Sequence, residues 1–184
     1  MVRKENQRIV LTRRLLQEGM LRLLEREKLE GISVTALCKE SGINRATFYN
    51  HYASPSQLLE EMEHALVDEL LRLNPPAKTV DEILDHTEKS CVLLREKATL
   101  FHILVRYHVD HNLEDIVKGI ARHYAEHRID LSNIALDDDS IHLVSSYLYS
   151  GCYALIREWL LQDIDKTPRE IAELLVSIVS REYL

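Results

Sequence analysis

Residues Ser33 to Tyr52 read SVTALCKESGINRATFYNHY. Ser33 suits an N-cap for a short helix from Val34 to about Glu40, because its hydroxyl accepts from an amide that the first turn leaves unpaired. Gly42 stands where a tight turn needs positive φ. Asn44 then caps a second short helix running through His51. Val34, Leu37, Cys38, Ile43 and Phe48 supply a small core, while Asn44, Arg45, Thr47, Tyr49 and His51 fall on or near the second helix. Two short helices joined by a glycine-containing turn make a helix-turn-helix. The second helix of such a unit enters the major groove and reads base edges with its first residues.

The surrounding sequence extends this reading. Upstream, residues 3–28 place Ile9, Leu16, Met20, Leu23 and Leu24 on one helical face, with Arg and Glu elsewhere, which predicts an amphipathic helix. Downstream, Ser54 is a cap and Pro55 occupies the first helical position of a helix reaching about Leu73, where Pro75-Pro76 breaks the chain. Helices are then predicted over Thr79–Lys97, Thr99–His108, Leu113–Arg128 and Ser140–Gln162, the last with Asp137, Asp138 and Asp139 at its positive end. Thr167-Pro168 caps a final helix through Glu182. Five Gly and four Pro in 184 residues are too few for the turns of an all-β chain. The expected fold is all-α, with a three-helix DNA-binding domain over 1–53 (motif 33–52) and a larger helical bundle over 54–184.

Charge supports that division. The net charge is −7, yet residues 1–52 carry 10 Lys and Arg against 6 Asp and Glu, and residues 53–184 carry 13 against 24. A basic head on an acidic body is the distribution of a protein that holds phosphate at one end and repels it from the other. Cys38, Cys91 and Cys152 are odd in number, far apart and outside any CxxC, which predicts free thiols in a reducing compartment. No signal-like N-terminal run and no stretch of ~18 apolar residues occurs, so the expectation is a cytoplasmic protein with no membrane partner.

At the quoted stretch the chain resembles the TetR family of transcriptional regulators. The resemblance rests on Ser33, Val34, Leu37, Cys38, Ser41, Gly42, Ile43, Asn44, Arg45, Thr47, Phe48, Tyr49, His51 and Tyr52, in order. The Leu16-x-x-Gly19-x-x-x-Leu23-Leu24 spacing of the first helix is similar too, with Gly19 where the family usually has Ala. The resemblance implies a ligand-responsive repressor that binds a palindromic double-stranded operator as a homodimer, with a small-molecule effector entering the helical body. It implies no enzyme activity, no cofactor and no metal. One departure stands out: Pro55 occupies the place of a Lys that grips phosphate in the family. The helix after it is still expected to offer free N–H groups and a positive dipole.

Chemistry suggests roles for the candidate DNA-binding residues Ser33, Thr35, Asn44, Arg45, Ala46, Thr47, Tyr49 and His51. Arg45 can donate bidentately to guanine O6 and N7, and Ala46 and Thr47 suit a thymine methyl. Tyr49 and His51 suit phosphate, as in the family, and so do Ser33 and Thr35. Arg3, Lys4 and Arg8 form a basic arm. The last two predicted helices carry broad apolar faces, including Ile141, Val144, Leu148, Leu155, Trp159, Ile171, Leu174, Leu175 and Ile178, which one body can cover only in part. A second copy would bury the rest, with close approach at Gly151.

Other constellations compete with this assignment. His123 to His127 reads HYAEH, the order of an inverted zinc-peptidase motif, and with His108, Asp110 and His111 it could instead sense metal. A solvated helix face explains the same residues. Phe101, Tyr107, Tyr124, Tyr147, Tyr149, Tyr153 and Trp159 could line a ligand pocket or simply pack as core. The alternative function is a helix-turn-helix regulator controlled by a protein partner or a metal.

Overall fold

The computed structural model describes residues 2–107, 111–125 and 137–179. These form nine α-helices and one 3-10 turn, with no strand among the described residues. The helices are α1 (Val2–Leu24), α2 (Val34–Ser41), α3 (Arg45–Tyr49), α4 (Pro55–Leu73), α5 (Val80–Glu96), α6 (Ala98–Arg106), α7 (His111–Ala125), α8 (Asp138–Leu161) and α9 (Pro168–Val179), with the 3-10 turn at Leu29–Gly31. The all-α expectation holds. Residues group into two units, 1–65 with 103–109, and 66–102 with 110–184.

In the first unit the caps act as read. The Ser33 hydroxyl accepts from Ala36 N at 3.1 Å, and Asn44 Oδ1 accepts from Thr47 N at 2.7 Å. Gly42 terminates α2 with φ 67°, the left-handed conformation that costs a glycine least. Leu16, Met20, Leu23 and Leu24 of α1 are buried with Leu37, Cys38, Phe48, Tyr52, Leu58 and Leu59. Val34 and Ile43 are only half-buried. Ile9 is exposed, against expectation, because the buried part of α1 begins later, at Thr12. A charged clamp adds to the apolar contact between α1 and α2. Glu40 accepts from Arg22 Nε at 2.8 Å and from an Arg26 guanidinium nitrogen at 2.9 Å. Those two hydrogen bonds hold its carboxyl below the usual range.

In the second unit α5 packs on α9 and α7 on α8. The α5 N-terminus is a capping box: Thr79 Oγ1 accepts from Glu82 N, and the Glu82 carboxylate accepts from Thr79 N. Asp137 caps α8 by accepting from Ser140 N at 2.7 Å. At α9, Thr167 Oγ1 accepts from Glu170 N at 3.2 Å and Glu170 accepts from Thr167 N at 2.8 Å. Trp159 is fully buried and donates through Nε1 to the Lys166 carbonyl. The Arg95 guanidinium lies 5.4 Å from its ring centroid and pairs with Asp163 at 2.7 Å. All three cysteines are buried free thiols.

Candidate nucleic-acid interface and an apolar cavity

Helix α3 is anchored by one side chain. Phe48 is fully buried, with the Tyr49 ring edge-on at 5.5 Å and the Tyr52 ring at 5.9 Å. The remaining positions turn outward: Asn44, Arg45, Ala46 and Tyr49 are exposed, and Thr47 and His51 half-buried. The Arg45 guanidinium carbon lies 6.0 Å from the Tyr49 ring centroid. An arginine in solution samples many rotamers; one resting on an aromatic face is held partly in place. Ser33 and Thr35 are exposed at the start of α2. Six of the eight candidate residues therefore cluster on and around α3, and two stand on α2. The side chains of Arg3 and Lys4 lie outside the described residues; Arg8 is exposed.

Capping does not disable Ser33 or Asn44. The cap uses an oxygen lone pair, so the Ser33 hydroxyl keeps its proton and the Asn44 amide its N–H groups as donors. Behind α3, the Tyr52 hydroxyl donates to Glu61 Oε1 of α4 at 2.7 Å, and an Arg13 guanidinium nitrogen of α1 lies 3.8 Å from the same oxygen. Burial, and then the bond to Glu61, push the Tyr52 phenol well above its ordinary range, so it remains a donor. Glu61 escapes a sequence reading because nothing in its local pattern links it to a tyrosine nine residues earlier.

The start of α4 carries the expected Ser54 cap. Pro55 has no N–H, the Gln57 amide donates to Ser54 Oγ at 3.2 Å, and the Leu58 amide to the Ser54 carbonyl at 3.3 Å. The Gln57 side chain in turn accepts from Ala53 N at 2.6 Å.

The second unit contains an apolar cavity that opens to solvent. It is walled by Leu70 of α4, Ile83 and Leu94 of α5, Ile120 of α7, Ile156 of α8 and Leu175 of α9. Among the described residues, none of the aromatic pocket candidates lines it. Phe101, Tyr149, Tyr153 and Trp159 are core, and Tyr147 is exposed. Tyr107 belongs to the first unit, where its hydroxyl donates to the Glu27 carbonyl. The Tyr124 side chain lies outside the described residues, as do His108, Asp110, Glu126 and His127 and the His111 and His123 side chains. The metal constellation therefore falls outside what the structure describes; among the described residues no group of three or more His, Cys, Asp or Glu is placed to hold an ion. No described helix is long and apolar enough to cross a membrane.

Comparison with known proteins agrees with this architecture. Residues 81–181 match a TetR-type family described as the C-terminal region of transcriptional regulators. An uncharacterised HTH-type transcriptional regulator of Bacillus subtilis (strain 168), YxbF, is 30% identical over 132 residues, covering 68% of this chain and 35% of that protein. The chain thus spans about a third of the length of that relative. A TetR transcriptional regulator from Streptococcus agalactiae 2603V superposes with a TM-score of 0.64 at 18% identity, over 98% of this chain and 100% of that one. The dihydroxyacetone kinase operon activator DhaS superposes with a TM-score of 0.60 at 16% identity, over 92% and 94%. These structural likenesses carry the fold, an all-helical chain with an N-terminal helix-turn-helix. Because the family match covers more than half of the sequence, the chain belongs to the TetR family of transcriptional regulators.

Proposed function

We propose that the protein is a cytoplasmic, ligand-responsive repressor that binds a palindromic operator as a homodimer, residues 1–53 holding DNA and residues 54–184 pairing and sensing. The observation that carries this reading is the exposed first turn of α3, where Asn44, Arg45 and Ala46 face solvent beside an anchoring Phe48. Arg45 reads a guanine, Ala46 and Thr47 meet a thymine methyl, and Ser33, Thr35, Asn44, Tyr49 and His51 hold the backbone.

Pairing is supported by the apolar side chains left exposed on the last two helices. Leu143 and Tyr147 of α8, and Leu174 and Ile178 of α9, are exposed, and Gly151 has open space where a side chain would stand. Pairing with a second copy about a two-fold axis would cover such exposed apolar side chains. Two recognition helices on one face of the duplex must lie ~34–36 Å apart, one helical turn, or a multiple. Response to an effector is supported by the cavity: a molecule that binds one body conformation better than another shifts the population able to hold DNA.

The test is selection of bound fragments from a genomic library with the full chain, followed by sedimentation of the complex and a promoter reporter. An inverted repeat bound by two chains, with reporter output reduced, is expected. Enrichment of no sequence, or a single chain per site, overturns the reading; raised output overturns repression alone.

A further inference from the structure

We propose that the cavity of the second unit takes an uncharged, largely hydrocarbon molecule bearing a hydrogen-bond donor, such as an aliphatic alcohol or a phenol. The inference deepens the ligand-responsive part of the function above and rests on that part. It follows from an inventory of the walls. Although 29% of the residues in the chain are charged, none of the fifteen that line the cavity is. A carboxylate or ammonium entering it would lose its water and meet no countercharge.

The polar lining groups are Asn74, Thr87 and Ser90, with the thiols of Cys91 and Cys152. Their strong donors are already spent. The Thr87 hydroxyl donates to the Ile83 carbonyl at 2.7 Å, and the Ser90 hydroxyl to the His86 carbonyl at 3.0 Å. Asn74 Nδ2 donates one proton to the Leu70 carbonyl at 2.7 Å and the other to Ser90 Oγ at 2.8 Å. A hydroxyl oxygen has two lone pairs, so Thr87 keeps both as acceptors and Ser90 keeps one. The thiols are weak donors, and burial holds them protonated, pushing Cys91 up to about 12 and Cys152 up to about 11. A ligand therefore finds hydrocarbon, soft sulfur and acceptor oxygens on α5. An alcohol satisfies that arrangement. A ketone brings only an acceptor, and a carboxylate brings acceptors and a charge.

The experiment uses the full chain and the uncharged fluorophore N-phenyl-1-naphthylamine. We expect saturable binding of one probe per chain, and displacement by 1-decanol at concentrations at least ~10-fold below those needed for decanoate or decylammonium, with 2-decanone between. Thr87→Val, which keeps shape and removes the acceptor, should narrow the gap between decanol and decanone, each displacement being referred to the probe affinity measured for that same variant. Cys152→Phe on α8 and Ala121→Phe on α7 should each abolish probe binding. Equal displacement by the charged compounds, no saturable probe binding, or full binding in both Phe variants overturns the proposal. Should the Phe variants misfold, the charge series and Thr87→Val decide it. Operator binding by the ligand-free protein is measured separately, so a failed ligand class and a failed DNA reading give different results.

Discussion

The hydroxyl of Ser41 occupies the space beside Gly19 that a side-chain methyl would need. A Cβ built at Gly19 would overlap Ser41 Oγ and approach Ser41 Cβ to 3.2 Å and Cα to 3.4 Å. Ser41 is buried and its hydroxyl is held by the Leu37 carbonyl at 2.7 Å, so it cannot swing away without losing that bond. A glycine in mid-helix costs roughly 1 kcal/mol against alanine; here it lets α1 and α2 approach. Gly19→Ala alone should destabilise by about 1–3 kcal/mol through overpacking. Gly19→Ala with Ser41→Ala should recover most of that loss, since only the Cβ–Cβ approach remains tight. Urea denaturation of the four proteins measures the coupling, and additive effects would refute it.

The stacking of Arg45 on Tyr49 separates two roles for the tyrosine. Arg45→Ala should cost about 1–3 kcal/mol at the operator and relax specificity at one base pair. Tyr49→Phe keeps the ring and should preserve specificity while weakening all sequences alike. Tyr49→Ala should add a loss of discrimination. Competition binding against operators mutated one base at a time distinguishes the three; unchanged specificity in Arg45→Ala would reassign the reading residue.

A lysine at position 55 should steepen the salt dependence of DNA binding. Pro55→Lys adds a cation and an amide at the start of α4, while the Ser54–Gln57 bond keeps the helix capped. Log affinity against log salt should steepen by ~0.9 for each phosphate gained, nearly two units in a dimer. Equal slopes for both proteins would mean that residue 55 does not face the DNA backbone.

Neighbouring leucines on α9 should respond in opposite ways to a charge. Leu175 is 6% exposed and walls the cavity, so Leu175→Glu should unfold the second unit by burying an unpaired carboxylate. Leu175 lies on the apolar face that periodicity assigns to α9, and its own unit already covers it. Leu174 is 41% exposed, and Leu174→Glu should leave helix content intact while converting dimer to monomer. Sedimentation velocity and circular dichroism together check both; a dimer that survives Leu174→Glu removes this face from the interface.

Acid should loosen the α9 cap. Hydrogen bonds first from the Thr167 backbone, then from Lys166, hold the Glu170 carboxyl down to about 2 against an ordinary 4.5. Because the folded value is the lower one, the carboxylate's contribution is complete above about 4.5 and is lost as pH falls toward about 2. Glu170→Gln keeps an acceptor for the Thr167 amide and should show a weaker acid dependence across that window. Thermal melts of both proteins at stepped pH measure it, and parallel curves would exclude the carboxylate as the cause.

The sequence alone determined features whose physics is local. Ser33, Asn44, Ser54 and Thr167 cap their helices because a side-chain oxygen reaches an amide three residues on, an interaction contained in the sequence order. Gly42 ends α2 for the same local reason, and few helix breakers predict long helices. The outward-facing α3 residues were also legible, since one anchoring Phe48 leaves the rest of a short helix exposed. Tertiary structure decided what depends on partners distant in sequence. Periodicity gives a helix an apolar face but not what covers it, so Ile9 is exposed while Leu175 is buried. Glu40 and Glu61 look like solvated charges until Arg22, Arg26 and Tyr52 are folded against them. The cavity is walled by aliphatic residues of five helices and not by Phe101, Tyr149, Tyr153 or Trp159, because those larger rings fill the core and an opening remains where smaller side chains from separate helices meet.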